Sequence, residues 1–434
     1  MVGLVNRYVW SQVTEQDKRR VMQRAAVDIS EQMRVVEPIV KDVRERGDRA
    51  LVEYTLRFDG VDISRRGIAV PETEFAAAEN ALAPDVKEML RYAHGNIRRF
   101  HEAQKPAPMW MMEVDDGLMA GEKVTPLSDA ALYVPRGKGS FPSVLLMLGT
   151  PAVVAGVPRV AVFTPPNREG GVDPAILYVA RMLGIREIYR VGGAQAVAAA
   201  AFGTESVAPS CKIIGPGNPY VTAAKRMLSG VIDPGVPAGP SEAVILCDER
   251  ADPRKAALDL MIEAEHGPDS AALLVTHSRA LADAVEVNVQ AFMEKIANPV
   301  RRSFVEAVLQ GYGGIVVTDD LDDSIRFVNE YAPEHMEVMT ADPFSVLPRI
   351  EHAGEILLGD DTPVTLCNFL LGPNAVLPTG RWARSVSAVS IHDFMKRSSI
   401  GYATVAGFAR VRERAALFAD IEGFETHARA VRDR

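Results

Sequence analysis

Two short arrays carry residue types that do chemistry. Glu263 and His266 stand three apart near the end of a helical run, Ala251 to Glu265, and that spacing puts both side chains on one helical face. A carboxylate and an imidazole presented this way form a recurrent metal-ligand pair. A surface helix also carries Glu and His by chance, so the pair alone does not decide. Gly267-Pro268-Asp269 ends the helix abruptly and leaves His266 beside a loop. Glu334 and His335 follow Tyr331-Ala332-Pro333. An adjacent carboxylate and imidazole suit a general acid and base, because histidine titrates near neutrality and can take an alcohol's proton. The competing reading is a solvated loop.

Three glycine-rich turns follow strand-like runs: Pro135-Arg136-Gly137-Lys138-Gly139, Gly192-Gly193-Ala194-Gln195 and Gly215-Pro216-Gly217-Asn218. Turns of this kind, leading from strands into helix N-termini, are natural places for a dinucleotide's phosphates or ribose. None is G-x-G-x-x-G, so the ordinary Rossmann fingerprint is absent, and tight turns without a ligand are the alternative.

The elements around these residues read as α/β. Leu132–Val134, Val160–Phe163, Glu187–Val191 and Lys212–Ile214 read as strands; Ser143–Ala155, Pro174–Leu183, Ala194–Phe202 and Tyr220–Leu228 read as helices between them. That alternation implies a parallel sheet covered on both faces. A second alternating stretch follows, with strands at Ala243–Cys247, Ala272–Thr276 and Gly314–Thr318. The chain before about Gln104 reads as helices, among them Asp17–Gln32 and Val36–Phe58, and the charged tail from Phe408 reads as helix.

Composition narrows the class. A chain of 434 residues exceeds one ordinary domain, so two or three lobes are expected. The net charge of -9 argues against nucleic-acid binding. The longest apolar run, Ser143–Val157, is broken by Gly149, Pro151 and Gly156 and is too short for a membrane span. Met1 to Trp10 has no apolar signal-peptide core. Cys211, Cys247 and Cys367 are odd in number and far apart, which fits a reducing, cytoplasmic setting.

Taken together, several segments resemble the histidinol dehydrogenase family. They are Tyr133-Val134-Pro135, the Gly192-Gly193 and Gly215–Asn218 turns, and Ala238-Gly239-Pro240-Ser241-Glu242. They continue with Ala264-Glu265-His266-Gly267-Pro268-Asp269, Pro333-Glu334-His335, Val376-Leu377-Pro378-Thr379 and Thr426-His427. The resemblance implies two incomplete Rossmann-like domains with helical N- and C-terminal extensions, in an intertwined homodimer. The expected division is an N-terminal extension (1–25), a first α/β domain carrying metal and catalytic residues (26–132 and 241–390), an NAD-binding α/β domain (133–240) and a tail (391–434). The tail would complete the partner's active site. It also implies one Zn2+ per subunit and NAD as oxidant of a small primary alcohol, through the aldehyde to the carboxylate. By this likeness Tyr133, Gln195 and Asn218 contact NAD. His335 takes the alcohol proton, Glu334 activates water, and Ser241 and Glu422 contact substrate.

The pattern departs from the family at informative positions. The family's metal ligands are Gln, His, Asp and His; Glu263, His266, Asn368 and His427 match them here. The carboxylate has changed sides while both replacements keep an oxygen donor that zinc accepts, so metal binding is expected to survive. A family histidine that contacts histidinol is Ala375. Arg136 stands where glycine is usual, and with Lys138 it could favour an anion. The altered pattern resembles the sulfopropanediol dehydrogenase branch, whose substrate is 2,3-dihydroxypropane-1-sulfonate and whose product is 3-sulfolactate. The alternatives are an L-histidinol dehydrogenase and a non-catalytic zinc- or nucleotide-binding homologue.

Overall fold

The computed structural model describes residues 4–24, 29–136 and 139–434. Lys138, a candidate anion contact, lies outside them, as does Gly137. The chain divides into two compact units: 1–104 with 128–393, and 105–127 with 394–434.

The larger unit is α/β and holds two parallel sheets. The six-stranded sheet has the spatial order Arg7–Val9, Gly314–Val317, Ala271–Thr276, Glu242–Cys247, His335–Met339, Glu355–Leu358. Every neighbouring pair in it is parallel. Its central strands are uninterrupted apolar runs, as a sheet covered on both faces requires: Ala243–Leu246 and Ala271–Val275 are buried throughout. The four-stranded sheet runs Glu187–Tyr189, Arg159–Phe163, Asp129–Tyr133, Ile213–Ile214, again all parallel. Against it packs the alanine-rich helix Gly193–Phe202, whose small side chains let Val36, Ile39, Val40 and Val43 of helix Ser30–Arg46 share the same core.

Helix starts are written locally. Asp173-Pro174, Asn218-Pro219, Asp252-Pro253 and Asn298-Pro299 each place a capping oxygen before a proline. The side chain accepts backbone N–H bonds of the first turn, and the proline supplies the helical φ without wasting a donor.

The smaller unit is a three-stranded antiparallel sheet, ordered Met395–Ala403, Leu118–Pro126, Met109–Asp115, with helices Val405–Ile421 and Glu425–Arg432. It leaves Met109, Trp110, Met112, Val114, Leu417, Phe418 and Ile421 exposed, the last at 77%.

The helical reading of the N-terminal part needs correcting. Arg7–Val9 is a strand paired with Gly314–Val317. The run Asp17–Gln32 ends as a helix at Gln23 and resumes at Ser30, because Arg24 turns to φ 57. Gly47, at φ 54, likewise divides Val36–Phe58. Met109–Asp115 has no clean alternation of apolar and polar residues, so its strand carries no periodic signal. Among the described residues no helix is long and apolar enough to cross a membrane.

Candidate functional site

The carboxylates and imidazoles gather at the N-terminal edge of the six-stranded sheet. Ser241 precedes the strand Glu242–Cys247, Glu334 precedes His335–Met339, and Glu355 opens Glu355–Leu358. Helix Pro253–Ile262 ends at the same edge and tightens into a 3-10 turn, Glu263–His266. In a 3-10 turn residues three apart eclipse, so Glu263 and His266 meet more directly than the expected α-helix would allow.

Glu263 is fully buried. Its Oε1 accepts a hydrogen bond from Asn368 Nδ2 at 3.1 Å. Its Oε2 lies 3.1 Å from His266 Nδ1 yet has no hydrogen-bond donor. Ser241 Oγ is 2.9 Å from the same Nδ1. Burial pushes the Glu263 pKa up, but the charges of His335 and His266 and the Asn368 and Ser241 hydrogen bonds outweigh it and leave it below the ordinary value. A carboxylate kept ionised in the interior, with one oxygen lacking a donor, is a place for a cation. Glu263 oxygen, His266 nitrogen and the Asn368 amide oxygen form a donor set that zinc accepts. Among the described residues no three His, Cys, Asp or Glu side chains converge as a metal-binding group; within this unit the third donor is an amide. His427 and Glu422 belong to the smaller unit, where both are exposed and His427 packs on Phe424.

Glu334 and His335 are no solvated loop: they are 7% and 3% exposed. Glu334 Oε2 accepts the backbone N–H of Glu242 at 2.8 Å, and Oε1 lies 3.8 Å from His335 Nε2. On the other side of the ring, His335 Nδ1 is hydrogen-bonded to Glu355 Oε1. Burial opposes charge on the imidazole, but Glu263, Glu334 and Glu355 overcome it and raise its pKa to about 10. Burial pushes the Glu334 carboxyl well above its usual range, against the pull of His335. Glu355 was invisible in the sequence, lying twenty residues beyond His335; only strand register signals it.

The expected NAD contacts follow the C-terminal ends of the four-stranded sheet, where an open parallel sheet binds dinucleotides. Tyr133 ends a strand and its hydroxyl accepts the Gly193 N–H at 3.0 Å. Asn218 caps helix Pro219–Met227 through Oδ1. Gln195 is 1% exposed, and neither its Oε1 nor its Nε2 has a hydrogen-bond partner. A buried amide with both ends unmet points to a polar ligand. The turn is built for close backbone approach: a Cβ on Gly215 would fall 2.1 Å from the Tyr133 carbonyl oxygen. These residues fit a dinucleotide. Arg136 is exposed and donates to the Pro166 carbonyl at 3.3 Å; Ala375 is half-buried beside Asn374, whose amide bonds Met147 O and the Val376 N–H.

Comparison with known proteins identifies the family. A family model described as histidinol dehydrogenase matches residues 22–434. A histidinol dehydrogenase homolog of Cereibacter sphaeroides is 50% identical over 98% of this chain and 97% of its own. A histidinol dehydrogenase of Synechocystis sp. is 48% identical over 98% of each chain. The crystal structure of histidinol dehydrogenase from Elizabethkingia anophelis superposes with a TM-score of 0.94 at 30% identity, covering 99% of this chain and 98% of that one. The chain belongs to the histidinol dehydrogenase family.

Proposed function

We propose that the protein is a zinc-dependent, NAD-linked dehydrogenase that carries a small primary alcohol through the aldehyde to the carboxylate. The observation that carries this reading is the buried array Glu334–His335–Glu355 beside Glu263, His266 and Ser241. Glu355 holds the Nδ1 side of the ring; the positive charges of bound zinc and NAD would offset the three carboxylates that keep the ring protonated and so leave Nε2 able to accept the alcohol proton. Tyr133, Gln195 and Asn218 would hold NAD, and two NAD molecules in succession would supply the hydride acceptor, one for each half-reaction. Burial makes Glu334, anchored by the Glu242 amide, a stronger base than a free carboxylate, and in its ionised form it takes a proton from the water that attacks the aldehyde carbon. Zinc, held by Glu263, His266, Asn368 and His427 of the partner subunit, would hold and orient the substrate. Family membership is the basis for a homodimer in which the partner's Glu422 also reaches the substrate, and the apolar side chains exposed on the smaller unit fit such an interface. The free cysteines support a cytoplasmic setting.

L-Histidinol is the better-backed substrate, since close relatives carry the name histidinol dehydrogenase. The sulfonated diol is kept as a second reading by Glu263, Asn368 and Ala375, which depart together from the family pattern around the substrate. A non-catalytic role fits poorly with a fully buried, hydrogen-bonded acid–base array, which costs free energy to maintain. The deciding assay is NADH release from zinc-loaded protein with L-histidinol and with racemic 2,3-dihydroxypropane-1-sulfonate. About two NADH per molecule of L-histidinol, or per molecule of the reactive sulfonate enantiomer, supports the reading and selects the substrate. No NADH from either, with zinc and NAD bound, sinks both.

A further inference from the structure

Arg24 is a charged side chain in the interior, 218 residues from its ionic partner. Its side chain is 3% exposed and its Nη1 lies 2.5 Å from Glu242 Oε2. Nη2 donates to the carbonyls of Tyr331 and, at 3.4 Å, Ala332, and the group lies 3.6 Å over the Tyr331 ring. Glu242 Oε1 accepts the Gly380 N–H at 2.8 Å, while the Glu242 backbone N–H donates to Glu334 Oε2.

The arrangement closes a loop around Glu334. Its carboxylate is held by the backbone of Glu242, and its own backbone springs from the turn Tyr331-Ala332-Pro333, where Ala332 is left-handed at φ 51. One guanidinium grips both: the strand start through the Glu242 carboxylate, and the turn through two carbonyls. A planar fork can do this; an ammonium, as a point charge, holds one side well and the other poorly. If a buried pair served stability alone, apolar side chains of like volume would serve as well.

We infer that Arg24 and Glu242 are positioning residues that set the Glu334 carboxylate for water activation in the aldehyde-oxidising half-reaction. The inference rests on the role proposed for Glu334. No bond is made or broken by the pair itself.

The test is Arg24→Lys, which keeps the charge and removes the fork. Its crystal structure is expected to show Glu334 drawn away from the Glu242 amide. With aldehyde supplied directly, NADH formation should fall at least about 10-fold more than with alcohol. Glu334 retained within hydrogen-bond distance of that amide overturns the inference, whatever the kinetics. So does an equal loss in both half-reactions of an otherwise active enzyme, which marks a purely structural pair. Wild-type protein inert toward both alcohol and aldehyde would instead fail the functional reading, and the position of Glu334 in the variant would still decide the positioning. Glu242→Gln carries the same two readouts should Arg24→Lys not fold.

Discussion

His335 and Glu355 are register partners in the parallel pair of strands His335–Met339 and Glu355–Leu358, and their side chains are hydrogen-bonded through Nδ1 and Oε1. Both groups are buried. A carboxylate there fixes the ring's orientation and tautomer, which leaves Nε2 on the side of Glu334. Glu355→Ala is expected to lower kcat about 100-fold in both half-reactions, with the circular dichroism spectrum unchanged. Turnover at the wild-type rate would remove Glu355 from the machinery.

The metal reading predicts that zinc binding depends on Glu263. Loss of an outer partner of a metal ligand typically costs about 10–100-fold in affinity, so Glu263→Ala should cost at least that. Elemental analysis after dialysis is expected to find zinc in wild-type protein and little in the variant. A chelator should lower the wild-type Tm and leave the variant's unmoved, because only the wild type has binding energy to lose. Equal zinc in both would place the metal elsewhere.

Gly215 has φ 134, and a Cβ there would sit 2.1 Å from the Tyr133 carbonyl oxygen. Gly215→Ala should therefore cost about 1–3 kcal/mol and shift the Gly215–Asn218 turn. Weaker NADH binding, read by fluorescence titration, is expected alongside a lower Tm. Unaltered NADH affinity would separate this turn from the dinucleotide.

Lys225 is buried and donates to the Gly215 carbonyl at 2.7 Å. Burial, against the pull of Asp233, lowers its pKa to about 7 from the ordinary 10.5. Between those values the unfolded chain binds more protons than the folded one, so this group makes stability rise with pH, by up to about 1.4 kcal/mol per unit. Below pH 7 both states are protonated and the cost of the buried charge is fully present. Urea melts from pH 6 to 9 should show a wild-type gain that Lys225→Met lacks. Parallel curves for the two proteins would mean that the amine titrates normally.

The sequence by itself determined what is local. The apolar runs of Ala243–Leu246 and Ala271–Val275 declare a doubly covered parallel sheet. Asp or Asn before Pro marks the helix starts at Pro174, Pro219, Pro253 and Pro299, among others, and the three-residue spacing of Glu263 and His266 brings them together at a helix end. The glycine turns likewise announced Gln195 and Asn218 at strand ends. None of these depends on a residue far along the chain.

Tertiary structure decided the rest. Glu334 and His335 look like a solvated pair until the sheet buries them, because burial is set by what packs against a segment and not by its own residues. Glu355 becomes the partner of His335 only through parallel register. Parallel strands need a crossover, so the two residues share no local period. Arg24 is more remote still: it lies in what reads as a scaffold helix, yet its fork joins the turn at Tyr331 to the strand at Glu242. Such contacts leave no pattern in the chain. They exist because the interior cannot hold an unpaired charge, and the fold supplies the partner.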